Sequence, residues 1–196
     1  MIAHRTFTDY EQYVYLQGGK ARARAEFLLA HLPKGIQKYT KTFRNASPHL
    51  KPGSILCLGA RTGAESLGAI EAGFPGSVGI DLHPVGPTVL RGDWHDLQFV
   101  DHSFANVYTN SLDHCCYLNK LATEVKRVLG KGGRFYLMAT NRTTTVEAWQ
   151  AGHKNEGLYW ETSDQLRDAI CAYGFTVLHQ WRNGKWGHYV FVVGSL

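Results

Sequence analysis

The sequence predicts one α/β domain: a doubly wound, mostly parallel sheet of seven strands, with helices on both faces and a C-terminal antiparallel hairpin. Three observations lead to this expectation. The length of 196 residues suits one domain with one core. From residue 54 onward, short apolar runs alternate with helical segments, which is typical of a parallel sheet covered on both faces. Near the end, two strand-like runs flank Asn183-Gly184-Lys185-Trp186, as in a hairpin.

The first fifty residues are predicted to form a helical cap on the sheet, which spans residues 51–196 within the same structural unit. Residues 9–32 are expected to be one helix that ends at a break over Pro33–Gly35. A second helix is predicted over Ile36–Phe43, before a turn at Asn45-Ala46-Ser47-Pro48.

The sheet domain is expected to alternate strands and helices. The predicted strands are Ser54–Leu58, Ser77–Asp81, Thr88–Leu90, Ala105–Thr109, Arg134–Ala139, Thr176–Arg182 and His188–Val193. The predicted helices are Ala64–Ala72, Tyr117–Leu129 and one capped by Thr162 or Ser163 that runs to Tyr173.

The positive charge is concentrated near the N-terminus. The chain carries a net charge of +5, whereas the segment from Lys20 to Lys51 holds eight basic residues and one acid. This segment could meet an anionic partner such as nucleic acid. No aromatic residues interleave the charges in the manner of a nucleic-acid surface, which favours a solvated helix face. The apolar residues expected to turn inward beneath it are Phe27, Leu28, Leu29 and Leu32.

Several classes of protein are disfavoured. No run approaches the ~18 consecutive apolar residues of a membrane helix, and residues 1–17 lack the apolar core of a secretory signal. The cysteines lack the spacing of a metal site, so we expect reduced thiols, no metal and a cytoplasmic location. These cysteines are Cys57, Cys115, Cys116 and Cys171.

The turn after the first predicted sheet strand is a candidate nucleotide site. Small residues in Gly59-Ala60-Arg61-Thr62-Gly63 let a ligand approach the backbone, and the following helix offers free N–H groups. Asp81 ends the next strand, where a carboxylate can accept hydrogen bonds from ribose hydroxyls. Arg61 stands where a dinucleotide fingerprint requires glycine, which disfavours NAD and FAD. S-adenosylmethionine (SAM) has a ribose but no phosphate, and it suits this pattern.

Five stretches, taken in order, resemble the motifs of class I SAM-dependent methyltransferases. They are Ile55–Gly63, Val78–Asp81, Gly92–Phe104, Asn106–His114 and Glu124–Gly133. The chain departs from the family pattern at two positions. Cys57 stands where the family usually has an acid, and Arg61 where it has glycine.

The resemblance implies a SAM site, with S-adenosylhomocysteine as the product, and assigns residues to each part of the cofactor. The methionine end would lie against Gly59, Ala60, Thr62 and Gly63, the ribose against Asp81 and Leu82, the adenine against Asp93 and Trp94, and the sulfonium near Asn110 and Leu112. Arg61 could pair with the cofactor carboxylate or face solvent. Tyr13 and Gln17 could cap the site, or Tyr13 could instead pack in the core.

The acceptor is less well defined. A general base is needed only if the nucleophile carries a proton, and His114 is a better candidate than Asp113 because its ordinary pKa is near neutrality. Both could instead simply begin the next helix. An acceptor pocket, or ordinary packing, is expected from Trp149, His153, Tyr159, Trp160, Trp186 and His188. We expect a small-molecule acceptor; the alternatives are an RNA or protein methyltransferase, or a SAM-binding regulatory or scaffold protein without catalysis.

Overall fold

The computed structural model describes residues 2–5, 7, 10–153 and 155–194. Asp9, the first residue of the first predicted helix, lies outside them. In chain order the elements are β1 (Ile2–His4), α1 (Tyr10–Ala30), α2 (Leu32–Ala46), β2 (Ile55–Leu58), α3 (Ala64–Glu71), β3 (Val78–Asp81), β4 (Val89–Arg91), β5 (Phe104–Thr109), α4 (Leu118–Val128), β6 (Leu129–Thr140), α5 (Val146–Gly152), β7 (Leu158–Trp160), α6 (Ser163–Cys171), β8 (Phe175–Asn183) and β9 (Trp186–Val193).

The main sheet has seven strands in the order β4-β3-β2-β5-β6-β9-β8. The five strands β2 to β6 are parallel to one another, and β9 runs antiparallel to both β6 and β8. Every residue of β2 is buried, because alternate side chains enter two different cores. Leu56 and Leu58 belong to one cluster, and Ile55 and Cys57 to the other. The predicted fold class is therefore confirmed.

The helix boundaries follow local chemistry. Thr162 caps α6 in a reciprocal capping box with Gln165, as the sequence predicted for this end. The expected break over Pro33–Gly35 is wrong, because α2 already begins at Leu32 and Pro33 lies in its first turn. Proline is tolerated there, since that N–H would lack a helical partner in any case.

Sequence reasoning missed three short elements. Strands β1 and β7 pair antiparallel in a second, two-stranded sheet, with Ile2 opposite Trp160. Helix α5 lies just before β7. Strand β4 is equally short but fits the alternation of strands and helices, whereas β1 and β7 lie outside that alternation and carry too few positions for a periodic pattern.

Helix α1 packs against the protein through its N-terminal half alone. Its buried residues are Tyr13, Gln17, Gly18 and Ala21. Phe27 and Leu29, expected to turn inward, are instead 57% and 39% exposed, because the second half of the helix extends beyond the core. Within the described residues, no helix is both long and apolar enough to cross a membrane.

Candidate functional site

A cleft of about 160 Å³ opens at the carboxyl ends of β2, β3 and β5, with α1 across it. In the sheet, β2 has β3 on one side and β5 on the other, so the chain changes direction beside this cleft. Open α/β sheets bind ligands at such switch points. The cleft is lined by Tyr13, Gln17, Gly59, Arg61, Ile80, Asp81, Leu82, Gly92, Trp94, Ser111 and His114.

The turn after β2 is fixed by backbone hydrogen bonds and by close packing. The N–H groups of Gly59 and Ala60 both donate to the Ile80 carbonyl, each at 2.9 Å. Gly59 has a φ of 76°, and a Cβ there would lie 3.1 Å from the Ser111 Cβ and 3.2 Å from the Trp94 ring. Glycine is therefore required at this position for conformation and for space.

Asp81, at the end of β3, presents a buried carboxylate to the cleft. Its Oδ2 accepts from the Arg61 N–H at 3.1 Å, and its Oδ1 accepts from the His83 N–H at 2.8 Å. A carboxylate has about four acceptor positions, so about two are left for hydroxyl groups of a ligand. Arg61 has an unfavourable φ of 29°, and its Nε lies 3.8 Å from Asp81.

The predicted cofactor-binding residues fall into two groups, those that line the cleft and those that do not. Leu82 and Trp94 line the cleft, as do Gly59, Arg61 and Asp81. The cleft-lining set does not include Ala60, Thr62, Gly63, Asp93, Asn110 or Leu112. A Cβ at Gly63 would meet Thr88, so this position faces β4, whereas Asn110 donates to the Tyr39 hydroxyl at 2.8 Å.

The carboxylate of Asp93 is turned toward α1. Its Oδ2 accepts from the Tyr10 hydroxyl at 2.7 Å, and its Oδ1 accepts from the His95 N–H at 2.8 Å. Burial opposes ionisation of this group, but the hydrogen bonds from His95 and Tyr10 outweigh burial and lower the pKa of Asp93. Asp93 thus joins α1 to the loop after β4.

His114 lies in the cleft with a defined tautomer. Its Nδ1 is 2.9 Å from the Asn155 carbonyl and 3.3 Å from Gln17 Nε2; because the carbonyl can only accept, we assign the proton of the neutral ring to Nδ1. The Nε2 atom is then left with a lone pair, 3.9 Å from Asp113 Oδ2. Asp113 is not among the cleft-lining residues; it lies 3.9 Å from the Arg142 guanidinium. Of the two predicted catalytic residues, only His114 lines the cleft.

Helix α1 holds His114 from the opposite side. The Tyr13 hydroxyl donates to the His114 carbonyl at 2.8 Å. The Gln17 Nε2 donates to the Asn155 carbonyl at 2.7 Å, which is the same oxygen that binds the His114 ring. Both residues line the cleft, and Tyr13 is also buried at 2% exposure, so its two sequence interpretations both describe it.

The aromatic residues expected to form an acceptor pocket serve mainly as packing. Trp149, Tyr159 and Trp160 are buried, and each has its polar atom tied elsewhere, as in the 2.7 Å bond from Trp160 to the Thr140 carbonyl. None of the six aromatic and histidine residues lines the cleft. The expected pocket is therefore not found among them, because the rings of Trp149, Tyr159 and Trp160 are buried in packing and His153 is exposed.

Sequence reasoning also missed residues of the site. Ser111, Ile80 and Gly92 line the cleft, and each adjoins a residue that the motifs had identified. Glu65, in the first turn of α3, had no signal in the sequence. Burial raises its pKa to about 7, although a hydrogen bond from Tyr39 and the charge of Lys38 act in the opposite direction.

A methyltransferase-domain family model matches residues 70–137, about a third of the chain. This segment begins beyond the turn at Gly59 and ends within β6. No curated protein sequence matches the chain.

Solved structures share the fold across nearly the whole chain. The 1,6-didemethyltoxoflavin-N1-methyltransferase of Burkholderia thailandensis, with S-adenosylhomocysteine bound, has a TM-score of 0.72 and 14% identity over 99% of this chain and 95% of its own. A complex of the Haloferax volcanii Trm112 methyltransferase activator with a protein assigned as a methyltransferase gives 0.66 and 18%, over 90% and 98%.

A third solved structure is the phosphoethanolamine N-methyltransferase 2 of Haemonchus contortus. It was determined with phosphomonomethylethanolamine and S-adenosylhomocysteine, and it has a TM-score of 0.63 and 14% identity over 81% of this chain and 53% of its own. The family model, the strand order and the cleft at the switch point agree with one another. The chain therefore resembles methyltransferase domains over residues 70–137 and shares the fold of these solved structures over most of its length.

Proposed function

We propose that the protein transfers the methyl group of SAM to a small-molecule acceptor in this cleft, with His114 as the general base. The proposal rests on one observation: three separate segments of the chain meet at one cleft. The turn at Gly59, the carboxylate of Asp81 and the imidazole of His114 all line it.

The residues present suit the cofactor. Asp81 keeps acceptor positions for ribose hydroxyls, and the bare backbone at Gly59 leaves space that a Cβ would fill. We propose that Leu82 and Trp94 pack against the adenine, and that Ala60, Thr62 and Gly63 support the turn from behind. Asp93, Asn110 and Leu112 would act through their neighbours. When bound, SAM supplies an electrophilic methyl group on a good leaving group.

The protein's own contribution is to align the nucleophile and to remove its proton. Alignment can supply much of the rate enhancement in such a displacement. His114 Nε2 holds a lone pair in the cleft, while Asn155 fixes the ring through Nδ1. Asp113, 3.9 Å from Nε2, would stabilise the imidazolium that forms. A proton would thus move from the acceptor to Nε2.

The size and closure of the cleft support a small acceptor. Helix α1 covers the opening through Tyr13 and Gln17, which restricts the access of a folded macromolecule. Two of the solved structures with this fold are named for small-molecule methylation. RNA or protein as the acceptor, and binding without catalysis, remain outcomes that the following experiment separates.

The test begins with calorimetric titration of the protein with SAM and S-adenosylhomocysteine. The protein is then incubated with methyl-labelled SAM and cell extract divided into small-molecule, RNA and protein fractions. We expect micromolar cofactor binding and label in the small-molecule fraction. Label in RNA or protein would replace the proposed acceptor class, and tight binding without any label would support the scaffold alternative.

The role of His114 is tested with His114→Gln. We expect unchanged affinity for S-adenosylhomocysteine and a single-turnover rate about 100-fold lower, because only proton removal is lost. His31→Gln, at an exposed site beyond α1, is the matched control. Full single-turnover activity of His114→Gln would exclude a general-base role.

A further inference from the structure

Gln17 of α1 has one polar atom without a partner inside the cleft wall. The residue is 3% exposed and lines the cleft. Its Nε2 donates to the Asn155 carbonyl at 2.7 Å, whereas its Oε1 is buried and has no hydrogen-bond partner among the described residues. A buried acceptor in this state is costly by about 1–3 kcal/mol.

The orientation of this amide is fixed. If the oxygen and nitrogen were exchanged, two oxygens would face each other at Asn155, so Nε2 must point to that carbonyl. The atom left for a ligand is therefore an oxygen, which can only accept. This oxygen can therefore pair only with a group that carries hydrogen.

The neighbouring His114 also favours a ligand group that donates a hydrogen bond. His114 Nε2 is also an acceptor, since Nδ1 holds the proton against Asn155. The Tyr13 hydroxyl is already committed as a donor to the His114 carbonyl, and the Ser111 hydroxyl donates to the Asn110 side chain. The hydroxyl donors beside His114 are thus engaged within the protein, whereas the Arg61 guanidinium, a donor that also lines the cleft, lies 3.8 Å from Asp81.

We propose that Gln17 is a specificity residue whose Oε1 accepts a hydrogen bond from an N–H or O–H group of the ligand beside His114. This inference rests on the proposed function and deepens it: the acceptor is an amine or a hydroxyl compound, not a group without hydrogen. With an amine that carries two N–H hydrogens, Gln17 holds one and His114 takes the other. A hydroxyl compound has a single hydrogen on its nucleophilic oxygen, which goes to His114, so Gln17 would then accept from a second hydroxyl of the same compound. The same chemistry could come from the α-ammonium of the cofactor, and the experiment separates these two sources.

The test compares wild type with Gln17→Met, which keeps the length of the side chain and removes both polar atoms. Gln12→Met, exposed on the same helix, is the matched control. Protein loaded with S-adenosylhomocysteine is titrated by NMR with aniline and with N,N-dimethylaniline, which has no N–H. We expect wild type and the control to prefer aniline about tenfold, and Gln17→Met to lose that preference.

The cofactor source gives a different pattern. In that case Gln17→Met binds S-adenosylhomocysteine about tenfold more weakly, while its affinity for 5′-methylthioadenosine, which lacks the amino-acid tail, is unchanged. If neither ligand pair distinguishes Gln17→Met from wild type, the inference is overturned. If wild type binds neither adenosine compound, the proposed function fails, and the aniline preference of the unloaded protein still decides the role of Gln17.

A second variant guards against misfolding. Gln17→Glu keeps an acceptor oxygen at the same distance from the backbone but sets its other oxygen against the Asn155 carbonyl. It should therefore be less stable than wild type and, while folded, retain a preference for aniline. Thermal unfolding of each variant establishes that the compared proteins are folded. Loss of the preference in Gln17→Glu as well as Gln17→Met, in folded proteins, would count against the inference.

Discussion

The two walls of the cleft are held in different ways. The wall from β2 and β3 is fixed by backbone hydrogen bonds, such as those of Gly59 and Ala60 to the Ile80 carbonyl, on strands that are buried except at Val78. The wall from α1 is held through individual side chains, with Tyr10 bound to Asp93 and Tyr13 bound to the His114 carbonyl. One wall is built into the sheet, and the other is attached to it.

This difference suggests a division of tasks. The cavity of about 160 Å³ is smaller than the ~300 Å³ at which pockets for drug-sized ligands begin. We therefore expect α1 to shift when ligands enter, while the turn at Gly59 keeps its place. The sheet-borne wall would supply the preformed cofactor site, and the α1 wall would supply closure and selection of the acceptor.

The strongest test of the preformed wall is Asp81→Asn. We expect affinity for S-adenosylhomocysteine to fall at least about 100-fold, because charge-assisted hydrogen bonds to two hydroxyls contribute about 1.5–3 kcal/mol each. Calorimetry measures this affinity, and Asp96→Asn, at an exposed position nearby, is the control. Unchanged affinity would mean that this wall does not hold the ribose.

The packing of the turn is tested by Gly59→Ala beside Gly73→Ala. Both glycines have positive φ, 76° and 98°, but a Cβ at Gly73 meets nothing within 4 Å. Gly73→Ala should therefore report conformational strain alone, about 1 kcal/mol in the free energy of unfolding. Gly59→Ala should lose about 3 kcal/mol, since the contacts with Ser111 and Trp94 are added. Urea unfolding of both proteins measures these changes in the free energy of unfolding. Equal losses would show that the turn accommodates a Cβ at position 59 without steric cost.

The same contrast explains what could be predicted from the sequence. Gly59 and Asp81 were identified because a small turn and an acid at a strand end are local signals, and the parallel sheet brings them together. The contacts of α1 join residues far apart, such as Gln17 with Asn155 and Tyr10 with Asp93. No local sequence pattern encodes such pairs. The hydrogen bond of the Gln17 amide to Asn155 and the tautomer of His114 are therefore seen only in the folded chain.

Behind the sheet-borne wall, Glu65 makes stability depend on pH. Its pKa of about 7 lies above the ordinary 4.5, so the folded protein holds this proton more tightly than the unfolded chain. The stabilising contribution of Glu65 is complete below about pH 4.5 and is lost as the pH rises through 7. Relative to Glu65→Gln, we expect wild type to lose about 2–3 kcal/mol between pH 5 and pH 8.

Urea unfolding at both pH values measures this difference. Glu26→Gln, at an exposed position on α1, should follow wild type. Identical pH profiles for wild type and Glu65→Gln would mean that the carboxyl of Glu65 is ionised freely in the folded protein.

The smallest expected effect concerns the attached wall. Tyr10→Phe removes the 2.7 Å hydrogen bond to Asp93 and leaves the sheet untouched. A lost hydrogen bond to a charged group that water can partly replace is worth about 1 kcal/mol, so amide hydrogen exchange in α1 should speed up about fivefold. Tyr15→Phe, 74% exposed on the same helix, is the control and should exchange like wild type. If exchange in β2 and β5 rose as much as in α1, the two walls would open as one cooperative unit. In that case the selection of the acceptor could not be separated from the binding of the cofactor.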